Sequence, residues 1–289
     1  MGRLERLLTK ADGYKEAGRF DEAIRELLKA VRIAPQDPEV HLSFALTYDA
    51  MEEYDSSVIY FQKAIELDPD DPYTWTQYGI TLGRMGKAHQ ALVLFQKALQ
   101  IDPDYTFPKW NMALSLRTLG LYEDAIRLFK ECAELDPKSS YIKAEIHYQL
   151  GMCYLDMGWT RDALREFRSQ LRHFPDDPWA HLSIGNCYMD NGWIDESIRK
   201  YREIINVNPE FIPAYNSLAL SLAEKGWFDD AVDVLLQAQK IAPDDQSIRD
   251  NIEYIQSLKE DEDGFKGIAL STIIEILRMR QKSKSKKVS

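Results

Sequence analysis

Catalysis needs reactive side chains brought together, and this chain of 289 residues offers few candidates. Gly79-Ile80-Thr81-Leu82-Gly83 with Gly86-Lys87 approaches a phosphate-binding loop. The glycine spacing is wrong for one, and Ala88 stands where a metal-binding hydroxyl is required. No CxxC pair, HExxH or GxSxG occurs. The histidines are His41, His89, His147, His173 and His181; three of them recur at equivalent places in separate segments instead of converging, as metal ligands must. The sequence therefore predicts no catalytic residue, no metal and no cofactor. Cys132, Cys153 and Cys187 read as buried free thiols suited to a reducing compartment. Cys153 and Cys187 recur one period apart on equivalent helices, about 10 Å from each other, which is beyond disulfide reach.

The chemistry that is present is recognition. Phe107, Trp110, Leu114 and Arg117 follow a 3-4-3 spacing that places them on one helix face. Tyr73, Thr76, Ile80 and Gly83 repeat the spacing, as do Glu145, Tyr148, Met152 and Leu155, then Trp179, Leu182, Asn186 and Met189. The matching stripes nearer the N-terminus are more polar, with Glu5, Asp12, Lys15, Glu39 and Asp49. Trp, Tyr and Arg are the usual anchors of protein interfaces, and an apolar stripe suits a peptide or amphipathic helix. Tyr73, Phe107, Trp110, Tyr148 and Trp179 are the expected anchors, with Asn111, Arg117 and Asn186 fixing orientation.

The stripes recur because the chain repeats. Pro35, Pro69, Pro103, Pro137, Pro175, Pro209 and Pro243 are 34 residues apart, except for one gap of 38. A small residue lies 24 before each proline (Ala11, Ala45, Gly79, Ala113, Gly151, Gly185, Ala219), and a second 12 before it (Ala23, Ser57, Ala91, Ala125, Ala163, Ser197, Ala231). A bulky group follows four later: Leu27, Phe61, Phe95, Phe129, Phe167, Tyr201, Leu235. Gly18, Gly86, Gly120, Gly158, Gly192 and Gly226 divide each unit, with Glu52 the exception. Each unit thus reads as two helices, the first closed by glycine and the second by proline. Acidic pairs such as Asp70-Asp71, Asp176-Asp177 and Asp244-Asp245 suit the start of the next helix.

These columns resemble the tetratricopeptide repeat: Trp75, Gly79, Leu82, Ala91, Phe95 and Pro103 follow its pattern, as do Leu150, Gly151, Tyr154, Ala163, Phe167 and Pro175. His41, Lys109, His147 and His181 depart from it where the family has a large apolar residue. The resemblance implies an all-α, right-handed α-solenoid of seven repeats over 4–243, bounded near 4–37, 38–71, 72–105, 106–139, 140–177, 178–211 and 212–245. It also implies that first helices line the concave side, so that the stripes form a groove. Leu8, Leu42, Trp110, Tyr148 and Leu182 stand where the lysine of a chaperone-tail clamp would lie, which argues against that ligand. Asn111 and Asn186 fall in different columns and make no asparagine ladder.

The 38-residue gap adds one helical turn between Pro137 and Gly151, with Ser139 or Ser140 as its cap, and divides the array into four repeats plus three. Trp159, Trp193 and Trp227 each follow the turn glycine in the last three repeats. They either pack over the following turn or form a second interaction edge. Residues 245–260 read as a capping helix on Ile248, Ile252, Ile255 and Leu258, 261–264 as a linker, 265–281 as an apolar helix and 282–289 as a disordered basic tail.

Net charge is −11 although the last twelve residues hold six bases and no acid, so the body is strongly acidic and unsuited to nucleic acid. Arg3, Glu5, Arg6 and Lys10 interrupt any secretory signal, and Arg6 replaces the hydroxyl a myristoylation site needs. The apolar run 268–277 is too short to span a bilayer. The expectation is a cytoplasmic, non-enzymatic adaptor binding a protein or peptide. Two alternatives use residues 265–289: a scaffold that self-assembles through them as a homo-oligomer, or a subunit resting on a membrane.

Overall fold

The computed structural model describes residues 2–135 and 140–264, with side chains over 2–134 and 145–259. The apolar segment 265–281 and basic tail 282–289, with the self-assembly and membrane roles assigned to them, lie outside the described residues. The fold is all-α. Two compact units divide at 137/138, inside the 38-residue gap.

The first unit stacks α1 (Arg3–Glu16) on α2 (Phe20–Ile33), α3 (Pro38–Ala50) on α4 (Tyr54–Leu67), α5 (Pro72–Arg84) on α6 (Ala88–Ile101), and α7 (Thr106–Thr118) on α8 (Tyr122–Leu135). The second stacks α9 (Ser140–Asp156) on α10 (Thr160–Leu171), α11 (Pro178–Asp190) on α12 (Ile194–Val207), and α13 (Ile212–Glu224) on α14 (Phe228–Ile241), with α15 (Gln246–Gly264) against the last pair. Within each unit first helices also touch one another, α1 with α3, α3 with α5, α5 with α7, and α11 with α13, making them the more crowded row. α9 has 17 residues against 13 for α11, and the extra turn lies at its start.

Local rules set the helix ends. Asp37, Asp71 and Asp177 cap α3, α5 and α11 by accepting backbone N–H bonds, each followed by proline at the first helical position. The turn between paired helices takes a left-handed residue. Six of these are glycine, and Glu52 adopts the same conformation with φ 61°.

The small and bulky columns meet inside each pair. A Cβ on Gly79 would lie 2.5 Å from Phe95, one on Gly151 2.6 Å from Phe167, and one on Gly185 2.4 Å from Tyr201. These aromatic rings are fully buried. The absent Cβ lets two helices approach while one ring fills the space between them.

α15 buries Ile248, Ile255 and Leu258 against α13 and α14. It also continues through 261–264, where composition reads as a linker. Acidic residues cost a helix well under about 1 kcal/mol each in propensity, and no proline interrupts the run before Gly264.

Candidate functional site

Among the described side chains, three first helices present a large aromatic at their second residue: Tyr73 on α5, Phe107 on α7 and Trp179 on α11, 40%, 42% and 52% exposed. Phe107 has an aromatic neighbour at the cap of its own helix and Trp179 one at the cap of the next first helix. Tyr105 lies 6.4 Å from Phe107, ring to ring, and burial followed by the proximity of Tyr73 pushes its hydroxyl pKa up. Phe211 meets Trp179 edge-on, with centroids 5.0 Å apart at 88°.

Tyr105 and Phe211 occupy the N-cap positions of α7 and α13, where α3, α5 and α11 carry aspartate, and neither makes a side-chain cap bond. Forgoing such a cap costs about 1 kcal/mol. Two helices thus surrender a local stabilisation and gain aromatic surface beside Phe107 and Trp179. Sequence reasoning missed both residues. The signal lay in the cap column, where Asp37, Asp71, Asp177 and Asp245 align with them.

The other expected site residues are placed differently. Trp110 is half-buried, its edge against Phe129 at 5.1 Å and 67°; Tyr148 tilts over Phe167 at 5.9 Å. Thr76 and Leu182, which share their column, are buried. Asn111 Nδ2 donates to Phe107 O at 2.8 Å, on its own helix. Asn186 Oδ1 accepts the hydroxyl of the buried Tyr201 at 2.7 Å, a core task that its sequence position gave no sign of. Arg117 is half-buried in the last turn of α7. The first unit carries Tyr73, Phe107, Trp110, Asn111 and Arg117; the second carries Tyr148, Trp179 and Asn186. In the polar N-terminal stripes, Asp49 on α3 binds Thr81 and Arg84 of α5, so that its charge ties neighbouring repeats.

Trp159, Trp193 and Trp227 each take the N-cap position of a second helix and stay 51%, 46% and 45% exposed. Their ring contacts lie within their own helix pair. Trp159 stacks on Tyr154 at 6.0 Å and Trp193 tilts against Tyr188 at 5.9 Å, each five residues back in its own pair. Trp227 lies under the ammonium of Lys225 at 4.8 Å. One ring face is supported from within the pair, and much of the indole is left to solvent.

Three of the histidines do structural work. His41 and His181 donate through Nε2 to the carbonyls of Pro35 and Pro175, at 2.9 and 2.8 Å. Trp75 donates to Pro69 at 2.8 Å, Tyr215 to Pro209 at 2.9 Å and Arg249 to Pro243 at 3.1 Å, always six residues after the proline. Lys109 and His147 instead pair with Glu131 at 3.7 Å and Glu166 at 2.8 Å on the second helices. The three cysteines are buried thiols outside any disulfide; burial pushes Cys132 up to about 11 and Cys187 up to about 12. Such thiols are inert at neutral pH. Among the described residues no group of three or more His, Cys, Asp or Glu is arranged to hold a metal, and no helix is long and apolar enough to cross a membrane.

Stacked helix pairs that bury small-on-aromatic contacts and leave aromatic groups exposed along the first helices define a protein–protein interaction scaffold. Family models described as tetratricopeptide repeat match residues 14–76, 60–93, 109–139, 148–210 and 212–245, and the chain belongs to the tetratricopeptide repeat family. Members are generally non-enzymatic scaffolds. No curated protein matches the sequence.

Among solved structures, a tetratricopeptide repeat protein from Parabacteroides merdae is similar at 14% identity and a TM-score of 0.72, over 88% of this chain and 98% of that one. The C-terminal part of a repeat-containing protein from Cytophaga hutchinsonii is similar at 15% and 0.61, over 85% and 99%. A chain of the APC/C hetero-tetramer Cut9–Hcn1 is similar at 16% and 0.61, over 85% of this chain but 48% of that one, so this chain spans about half its length. At these identities the likeness is one of fold.

Proposed function

We propose that the chain is a non-enzymatic adaptor whose first-helix faces take up apolar side chains from a peptide or amphipathic helix of another protein. The observation that carries this reading is the replacement of capping aspartates by Tyr105 and Phe211 beside the exposed Phe107 and Trp179. A local rule is broken at the same register in each unit, and both times the gain is aromatic surface. First helices form the crowded row, which suits the inner side of a curved stack and a partner lying along it. Rings held by neighbouring rings lose little freedom when a ligand arrives, so the binding free energy is not spent on ordering the site.

Tyr73, Phe107 and Trp179 are the primary anchors in this reading. Trp110 and Tyr148 contribute the part of each ring left uncovered, and Arg117 offers charge at the far end of α7. Asn111 and Asn186 serve their own repeats first.

The test is a peptide-display selection on the 289-residue protein, followed by affinity measurements with the selected peptide on Phe107→Ala, Trp179→Ala and Tyr105→Asp. A hot-spot anchor is worth about 2 kcal/mol, or roughly a thirty-fold loss of affinity. Tyr105→Asp keeps a capped helix start while removing the ring, so a loss of binding there with an unchanged helical spectrum separates recognition from folding. Selected peptides that bind all three variants as they bind the wild type would overturn the proposal.

A further inference from the structure

The tryptophan edge has a candidate occupant in the chain itself. α15 repeats the placement of a first helix: Lys259 pairs with Asp229 as Lys225 pairs with Asp195, one period earlier. Its C-terminal end therefore lies at the edge that carries the turns between paired helices, two residues along from Trp227. α13 ends at Glu224, whose equivalent one period on is residue 258, but α15 runs on to Gly264. The extra six residues carry the chain about 9 Å past the last turn. α15 thus ends past the edge that carries the turns, in the same unit as the three indoles.

Chemistry matches as well as position. Residues 268–279 hold Ile268, Leu270, Ile273, Ile274, Ile276 and Leu277, with Glu275 and Arg278 the charged residues of that stretch. Such a surface is stabilised by covering other apolar groups. The turn segments 156–162, 190–196 and 224–230 hold eight acids against two bases, while residues 278–289 hold six bases and no acid. Twelve residues would span about 18 Å if helical, close to the spread of three turns set about 10 Å from one to the next. Gly264 and Gly267 flank the end of α15 in the sequence and would permit the reversal that docking requires.

We propose that residues 268–279 dock on Trp159, Trp193 and Trp227 of their own chain, with the basic stretch 278–289 set against the acidic turns. The docked segment is a built-in cover for this edge, and a partner using the edge has to displace it. The surface is separate from the first-helix faces of the proposed function, and neither proposal depends on the other.

Two measurements on the 289-residue protein test this. Hydroxyl-radical footprinting with mass-spectrometric readout compares wild type with Ile273→Asp/Leu277→Asp. Modification of the three turn tryptophans should rise several-fold in the variant, while Trp179 stays unchanged. Zero-length carbodiimide cross-linking of an equal mixture of light and heavy-isotope wild-type protein should join Lys282, Lys284, Lys286 or Lys287 to acids of 190–196 and 224–230. Those links should fall within single-isotope species. Equal tryptophan modification in wild type and a folded variant overturns the proposal. So do links confined to acids elsewhere, or links between light and heavy chains, which would make a second copy the occupant. The cross-linking arm needs no substitution and decides the matter should the variant fail to fold.

Discussion

Gly185 and Tyr201 stand so close that a methyl group on residue 185 would meet the tyrosine ring at 2.4 Å. The ring is fully buried and its hydroxyl is tied to Asn186, so it has little room to retreat. One contact thus fixes the approach of α11 to α12.

Gly185→Ala is expected to destabilise the protein. Overpacking costs about 1–3 kcal/mol, and the better helix propensity of alanine returns about 1 kcal/mol, so the net loss is on the order of 1 kcal/mol. Gly83→Ala, with nothing within 4 Å of its Cβ, should instead gain up to about 1 kcal/mol. Adding Tyr201→Leu should recover part of the Gly185→Ala loss, because Ala11 with Leu27 and Ala219 with Leu235 already pair that way in wholly buried sites. Urea unfolding midpoints of the wild type and the three variants decide it. A Gly185→Ala protein as stable as wild type would show that the helices separate freely.

Glu52 supplies the second prediction. It holds φ 61° at a turn where its six counterparts are glycine, and an L-residue there costs about 1 kcal/mol relative to glycine. Glu52 is exposed and has no burial to lose. Glu52→Gly should therefore raise stability by about 1 kcal/mol, and Gly192→Ala should lower it by a similar amount. Thermal midpoints moving in opposite directions for the two variants are the expected result; movement in the same direction would refute it.

How much of this was legible in the sequence follows from the range of the forces involved. Prolines, turn glycines and the small and bulky columns act locally or at one fixed separation, so Gly185 and Tyr201 could be matched sixteen residues apart before any fold was known. The bond from Asn186 to Tyr201 depends on one hydroxyl replacing the ring edge of phenylalanine in that column, and Asn186 consequently read as a ligand-facing residue. Trp159 and Trp193 turned back onto Tyr154 and Tyr188 because their side chains leave a left-handed turn, a direction that spacing alone does not encode. Tyr105 and Phe211 escaped notice for the opposite reason. Aromatic residues before a helix look ordinary until the cap column shows that aspartate is missing.

Glu26 carries a pH prediction. Its carboxylate is nearly buried between Lys29 and Lys10, at 2.8 and 3.1 Å, and the Lys29 bond first and the Lys10 bond next hold its pKa below the ordinary 4.5. A carboxyl whose folded pKa is depressed stabilises the fold above its unfolded value, and that contribution fades as pH falls through the folded one. Glu26→Gln should thus be less stable than wild type at about pH 7, and the gap should close as the pH drops below about 4.5. Parallel stability curves for the two proteins across that range would show that the lysines do not act through the charge of Glu26.

The proline carbonyls give the last prediction. Tyr215 donates to Pro209 at 2.9 Å from a buried ring, and burial pushes its hydroxyl pKa up, which keeps the proton in place to donate. Tyr215→Phe keeps the ring and leaves the Pro209 carbonyl without this donor, a loss of about 1 kcal/mol. His181→Phe should cost a similar amount by stranding Pro175. His181→Trp should be tolerated better, because Trp75 makes the same bond to Pro69 at 2.8 Å with an indole N–H. The ordering of His181 variants, Trp above Phe, separates a hydrogen-bond role from simple filling of space, since both replacements are aromatic and apolar. Equal stability of the two would leave the repeated donor six residues after five of the prolines as a by-product of packing; the expected order makes it the bracket that ties α3, α5, α11, α13 and α15 to the loops before them.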